Sequence, residues 1–274
     1  MSIIEAIIFG IVQGISEFLP ISSTAHIVIT ELLLDYHFPG LGFEIFLHLA
    51  SVMAVSIYFR NDLLKVFAGF LSYPLSRTMH NKIQFNFGCY ILIATLITGL
   101  LGILLKDCIG QYLKTPEFIS LALIITGLFL IIIERMRSYG RREVDSMNLL
   151  DAIIVGLGQS IAILPGISRS GSTLVAALWR GLSKDTAVSY SFLLAIPIIL
   201  GSSVLMLDDI NRDMWSEIGI TALITSFIFT FIFSWIGIMW LISFLKKTRL
   251  IYFALYCFTL ALFVYLFVDP AVTF

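Results

Sequence analysis

Charge is scarce in this sequence. Charged residues make up 13% of its 274 positions, where a soluble domain carries roughly 25%. Hydrophobic residues make up 59% and run from end to end. Together these exclude a separate soluble domain and point to a chain solvated by lipid. Cysteine is almost as rare. Cys89, Cys108 and Cys257 are odd in number, far apart and mostly inside apolar runs. They read as small packing residues, not as a disulfide framework or a thiolate metal site. HExxH, Walker, CxxC and dinucleotide motifs are all missing, which removes the chemistry each would carry. No low-complexity segment or long linker divides the chain. The N-terminus has neither a basic region nor a small-residue cleavage site, so no signal peptide is expected. The formal net charge of −1 says nothing about nucleic acid, and no such partner is expected.

What is present in abundance is apolar sequence of spanning length. Runs at about 43–59, 85–105, 117–133, 187–207, 217–244 and 250–268 meet or approach the roughly 17–25 residues that a bilayer core requires. Two further regions are broken. Residues 3–16 and 25–34 are apolar but short, with Glu17, Pro20 and three hydroxyls between them. Residues 149–164 and 172–182 repeat the arrangement around Pro165, Gly166, Arg169 and Gly171. Both breaks follow a Gln and a Leu-Pro and end in serines. A straight helix would place a proline and a charge at mid-membrane, so each region is expected to be a re-entrant helix hairpin.

Lys and Arg test that layout. Thirteen of the seventeen lie in the expected loops 60–84, 134–148 and 245–249 and at Arg180 and Lys184. With six spans and two same-side hairpins, all thirteen fall on one face, which the positive-inside rule makes cytoplasmic. Both termini are then outside. The expected fold is an all-α polytopic membrane protein, one integral domain over 1–274. It is built from two inverted-topology repeats at about 1–134 and 148–270, with six transmembrane helices plus two re-entrant hairpins. Paired broken helices of this kind meet at a binding site near the bilayer midplane.

The breaks carry the chemistry. Gln13 and Glu17 are four apart and share a helix face. If a second arm starts after Pro20, Ser22 or Ser23 caps it, and His26 follows on the same face. Hydroxyls at a helix N-terminus suit an anion, and an imidazole near a serine can serve as its base. Arg169 is the sharper signal, because a mid-membrane Arg costs roughly 2.5–3.5 kcal/mol on insertion scales. It stands in Pro-Gly-Ile-Ser-Arg-Ser-Gly-Ser-Thr, between Ser168 and Ser170. Its guanidinium fork matches phosphate oxygens. The competing reading pairs Arg169 with a carboxylate such as Glu17 for structure alone, which leaves the hydroxyls and glycines unexplained. His37, His48 and His80 have no partner cluster in the sequence, and boundary or loop roles are expected for them. Asp151 suits a helix N-terminus.

Glu-Phe-Leu-Pro-Ile-Ser-Ser-Thr-Ala-His (17–26) and Leu-Pro-Gly-Ile-Ser-Arg-Ser-Gly (164–171) resemble the paired signatures of the bacterial undecaprenyl-diphosphate phosphatases, the bacitracin-resistance phosphatases. Phe43-Glu44 through Phe59-Arg60 and the stretch 191–197 extend the likeness over the whole chain. The resemblance implies hydrolysis of undecaprenyl diphosphate to undecaprenyl phosphate in the bacterial inner membrane, with the site opening to the periplasmic side and a divalent cation required. It implies catalytic roles for Glu17, Ser23, His26 and Arg169. Gln13, Ser22, Ser168, Ser170, Gly171 and Thr173 are implied as substrate-binding, and Glu17 as a ligand of Mg²⁺ or Ca²⁺. Gln13 departs from relatives with Glu there, so Glu17 would share the ion with phosphate and water. The expected partners are the membrane and the lipid diphosphate, with a homodimer left open.

In the mechanism expected from these residues, Ser23 attacks the terminal phosphorus with His26 as its base. His26 as nucleophile, or as base for water, stays open. A secondary transporter or lipid flippase would share the repeats and hairpins. The Pro-Ser-Gly-His and His-x-x-x-Asp patterns of vanadium-haloperoxidase-related lipid phosphatases are missing.

Overall fold

The computed structural model describes residues 1–36, 38, 42–105, 115–135, 140–205, 218–247 and 249–268. The described residues form eleven helices. They are α1 (Ile3–Phe18), α2 (Ser23–Leu34), α3 (Gly42–Tyr58), α4 (Arg60–Ser72), α5 (Met79–Leu105) and α6 (Pro116–Glu134), then α7 (Leu149–Ile161), α8 (Arg169–Trp179), α9 (Lys184–Leu205), α10 (Ile220–Lys247) and α11 (Ile251–Phe267). Cys108, His37, Asp208, Asp209 and Asp213 lie outside the described residues. An all-helical, polytopic membrane architecture is the result. By length and apolarity α5, α6, α9 and α10 can each cross a bilayer.

Two expectations need correcting. The run at 43–59 does not end in a loop. After Tyr58 the chain bends by 79° and continues as α4. Arg60, Asn61 and Asp62 stop the apolar face of α3, while Leu63, Val66 and Phe70 give α4 a new face. That face packs on α5, where Gly88 leaves room for the Val66 and Phe70 side chains. Of the basic residues read as a loop, Arg60 and Lys65 are carried on α4 and Lys82 on α5, with Arg77 between the two helices. Likewise α5 begins at Met79, six residues before its apolar run.

The two broken regions become helix pairs, α1 with α2 and α7 with α8, each pair packed on itself. Each first arm opens with a capping box. Ser2 and Glu5 form one, and Asn148 and Asp151 the other, so Asp151 does sit at a helix N-terminus. Its buried carboxylate also receives Arg142 at 2.6 Å and Arg180 at 2.8 Å, which ties the 140–148 segment and the end of α8 to the start of α7.

The arms seat on long helices from the other half of the sequence. α1 lies along α10, and α7 lies along α5. α3 packs on α10 and α9 on α5, while α3 meets α9 and α6 meets α11. Close approach depends on small residues, as in membrane helix pairs generally. A Cβ at Gly14 would stand 2.7 Å from the Thr230 carbonyl and the Ser234 amide. One at Gly156 would stand 3.0 Å from Ala94 Cα. Gly14→Val therefore overpacks a backbone contact. It is expected to destabilise the fold by about 1–3 kcal/mol, read as a lower midpoint in thermal denaturation of the detergent-solubilised protein.

Candidate active site

The site forms where the two hairpin turns touch. In the first, Leu19 and Pro20 end α1, the Ile21 amide bonds the Leu19 carbonyl at 2.8 Å, and Ser22 takes φ 70°. Its hydroxyl caps α2 by accepting from the Ala25 amide. In the second, Gly166 has φ 87°, and a Cβ there would meet Ala122 Cβ at 2.9 Å. Glycine is thus required both for its backbone and for its bulk. Ser168 then caps α8 through the Gly171 amide, 3.1 Å away. The turns are stapled directly. Ser170 Oγ donates to the Leu19 carbonyl at 2.9 Å, and Pro20 lies over Gly171.

Glu17 is the centre of this junction. Its carboxylate is 3% exposed. Oε1 accepts from Arg169 Nη2 at 2.7 Å. Oε2 accepts from Gln13 Nε2 at 2.9 Å and Ser23 Oγ at 2.8 Å, and His48 Nε2 stands 3.1 Å from it as an ion-pair partner. The Arg169–Glu17 ion pair weighed as a structural alternative is therefore real. It is also open to one side, because both residues line a cavity of about 180 Å³ with Ser22, Ser23, Thr24, His48 and Ser168. The rest of the lining is Ala162, Ile167, Ile198, Ile199 and Ser202. A lining that joins a charged pair and hydroxyls to apolar side chains suits an amphiphile with an anionic head.

The other expected site residues fall behind that lining. Gln13 is fully buried against Glu17, and its Oε1 has no partner among the described residues. Ser170 and Gly171 join the two turns, and Thr173 bonds Ser191 of α9. All three serve the junction and lie outside the cavity lining.

His26 requires a correction. The expected Ser23–His26 pair is not formed. Ser23 begins α2 and turns its hydroxyl toward α1, whereas His26 folds back onto its own helix and outward. Its Nδ1 lies 2.7 Å from the Ser22 carbonyl and its Nε2 2.7 Å from the Tyr256 hydroxyl of α11. A carbonyl only accepts, so Nδ1 carries the proton and Nε2 accepts from Tyr256. Both ring nitrogens are thereby engaged, and the hydrogen-bond acceptor of the Ser23 hydroxyl is Glu17.

His48 corrects the opposite error. It is no boundary residue but a wall of the cavity, bonded to Glu17. The signal was present in α3, where Glu44, His48 and Ser51 are spaced four and three apart and share one face. Glu44 accepts from Thr24 at 3.0 Å, and Ser51 bonds Ser234 at 2.9 Å.

For a cation the donor set is lean. Among the described residues no group of three His, Cys, Asp or Glu side chains could hold a metal. One carboxylate beside hydroxyls fits Mg²⁺ of the kind completed by substrate phosphates and water.

The sequence model described as "Bacitracin resistance protein BacA" matches residues 6–263. "Undecaprenyl-diphosphatase 2" of Halalkalibacterium halodurans is 62% identical over 274 residues, covering 100% of this chain and 99% of that one. "Undecaprenyl-diphosphatase 1" of Shouchella clausii is 52% identical over 270 residues, 98% of each. "Undecaprenyl-diphosphatase 3" of Bacillus anthracis is 41% identical over 255 residues, 93% of this chain and 94% of its own. With that coverage, and with both hairpin signatures meeting at one buried carboxylate, the chain belongs to the BacA bacitracin-resistance family.

Proposed function

We propose that this chain hydrolyses undecaprenyl diphosphate to undecaprenyl phosphate and phosphate, renewing the lipid carrier for envelope polymers. The observation that carries this reading is Ser23 Oγ at 2.8 Å from Glu17, with Glu17 itself held by Arg169 from the other hairpin. Nucleophile, proton acceptor and phosphate fork are within one junction.

Arg169 exchanges one Glu17 oxygen for the terminal phosphate, to which it offers two parallel N–H groups. Ser23 Oγ then forms a bond to the terminal phosphorus as its proton passes to Glu17 Oε2. The bond from that phosphorus to the bridging oxygen breaks, and undecaprenyl phosphate leaves. Water then attacks the phosphoserine phosphorus as the P–Oγ bond breaks, Glu17 returns its proton to Ser23 Oγ, and phosphate leaves. The N-terminal amides of α2 and α8, capped by Ser22 and Ser168, face anionic charge favourably. Mg²⁺ or Ca²⁺ held by Glu17 with phosphate oxygens would neutralise charge as the bond breaks. Positioning and charge neutralisation supply most of the catalysis in such transfers.

The topology belongs to the same proposal. Six crossings, with α3 and α11 the short ones, and two oppositely inserted hairpins make two inverted repeats. Support comes from the exchanged pairings, since α1 on α10 and α3 on α10 match α7 on α5 and α9 on α5. The positive-inside rule orients this unit with the cavity toward the periplasm in the bacterial inner membrane. Whether two copies pair is part of the same test by mass measurement in detergent.

The test is phosphate release from undecaprenyl diphosphate by purified protein. The expected result is robust release, lowered at least tenfold by chelator and restored by Mg²⁺ or Ca²⁺. Movement of the lipid across a vesicle membrane without phosphate release would overturn the reading.

A further inference from the structure

From the position of His48 we infer that α3 is a working part of the site and that His48 is its positioning residue. This rests on the proposed Ser23–Glu17 chemistry and adds a third element to the two hairpins.

Glu17 has four polar partners: Arg169 on Oε1, and Gln13, Ser23 and, as an ion pair, His48 on Oε2. These partners differ in what happens to them during the reaction. Arg169 is drawn to the incoming phosphate. Ser23 loses its proton and forms a bond. Gln13 lies on α1 itself, four residues from Glu17, and cannot fix the carboxylate against movement of α1. His48 alone of the four comes from outside both hairpins, and its Nε2–H takes no part in bond making.

His48 is itself well supported. Its helix is tied to α2 through Thr24–Glu44 and to α10 through Ser51–Ser234, one turn on either side. Both ties use the same face of α3. His48 lines the cavity and its side chain is 22% exposed. It therefore holds Oε2 toward Ser23 from the cavity wall when Arg169 lets go of Oε1. A bond made to the reacting carboxylate, and not to the lipid, acts on the chemical step. Its loss lowers kcat and leaves KM in place.

Purified His48→Ala and His48→Gln proteins, assayed on undecaprenyl diphosphate beside the parent, test this. Gln can present an N–H donor where the imidazole did, and free imidazole can enter the space that Ala leaves. The expected result is a 10- to 100-fold lower kcat for His48→Ala, with KM within about twofold. Most of the loss should be recovered in His48→Gln, and part by added imidazole in His48→Ala only. Equal rates for all three proteins would overturn the inference. So would equal impairment of both variants without imidazole rescue, or a change confined to KM. If His48→Ala does not fold, His48→Leu takes its place in the comparison with His48→Gln. Absence of phosphate release by the parent protein would instead count against the proposed function itself.

Discussion

Arg169→Ala is expected to lower phosphate release from undecaprenyl diphosphate by about 10³-fold, since a single guanidinium on a transferring phosphoryl group is worth 10³–10⁵. The magnitude follows from where the residue stands. Arg169 begins α8 immediately after its Ser168 cap, 17% exposed and facing the cavity. Its side chain is largely buried there, so its charge is felt strongly. No second Arg or Lys lines the described cavity to replace it. Removing one partner of a buried pair also costs stability, about 3–5 kcal/mol where the other charge is stranded. Here Glu17 keeps Gln13, Ser23 and His48, so the variant should remain folded with a lower thermal midpoint. Arg169→Lys separates the two effects. It restores a charge near Glu17 and most of the stability. As a point charge without the planar fork, it should recover no more than about tenfold of the activity. Near-normal release from Arg169→Ala would remove this residue from the mechanism.

The legible parts of the fold were those written in local pattern. Arms 3–16 and 149–164 became α1 and α7, because a Leu-Pro break and a capping residue bound an apolar face. The junction of the hairpins was legible too, since an arginine and a glutamate inside apolar sequence need each other or a ligand. What was not legible depended on direction and distance. Ser23 and His26 are adjacent on a helix, but the neighbours that claim them, Glu17 and Tyr256, are on different helices on different sides. His48 looked solitary because its partner is thirty-one positions away along the chain. α4 was hidden by its own Arg60 and Lys65, which mark a loop by composition while a helix carries them. In each case the deciding contact is long-range, and a single sequence does not print it.

The two hairpins also divide the work unequally. The first supplies Glu17 and Ser23, and the second supplies Arg169 and a glycine turn. The corresponding arm of the second hairpin places Gln159 against Thr98 of α5 at 2.8 Å, where the first places Gln13 against Glu17 of its own helix. Each hairpin thus carries a buried amide, and only the first sets a carboxylate beside it.

Glu17→Gln tests that centre most directly. The substitution keeps the shape and one carbonyl acceptor but removes the charge. Ser23 then loses the group that takes its proton. Proton transfer to a positioned base contributes about 10²–10⁴, and the expected fall in kcat is about 10³-fold. Loss of charge also leaves Arg169 without its partner, so phosphate should bind the resting variant at least as tightly as the parent. Measured KM should therefore hold or fall while kcat collapses, a pattern that simple loss of binding does not produce. The response to Mg²⁺ or Ca²⁺ should weaken in the same variant, because the one carboxylate on the cavity floor is gone. Glu44→Gln, on the neighbouring face of α3 and bonded to Thr24, is the control. It removes a nearby charge without touching Ser23, and its kcat should fall far less. If Glu17→Gln and Glu44→Gln were impaired alike, Glu17 would be one charge among several and not the base for Ser23.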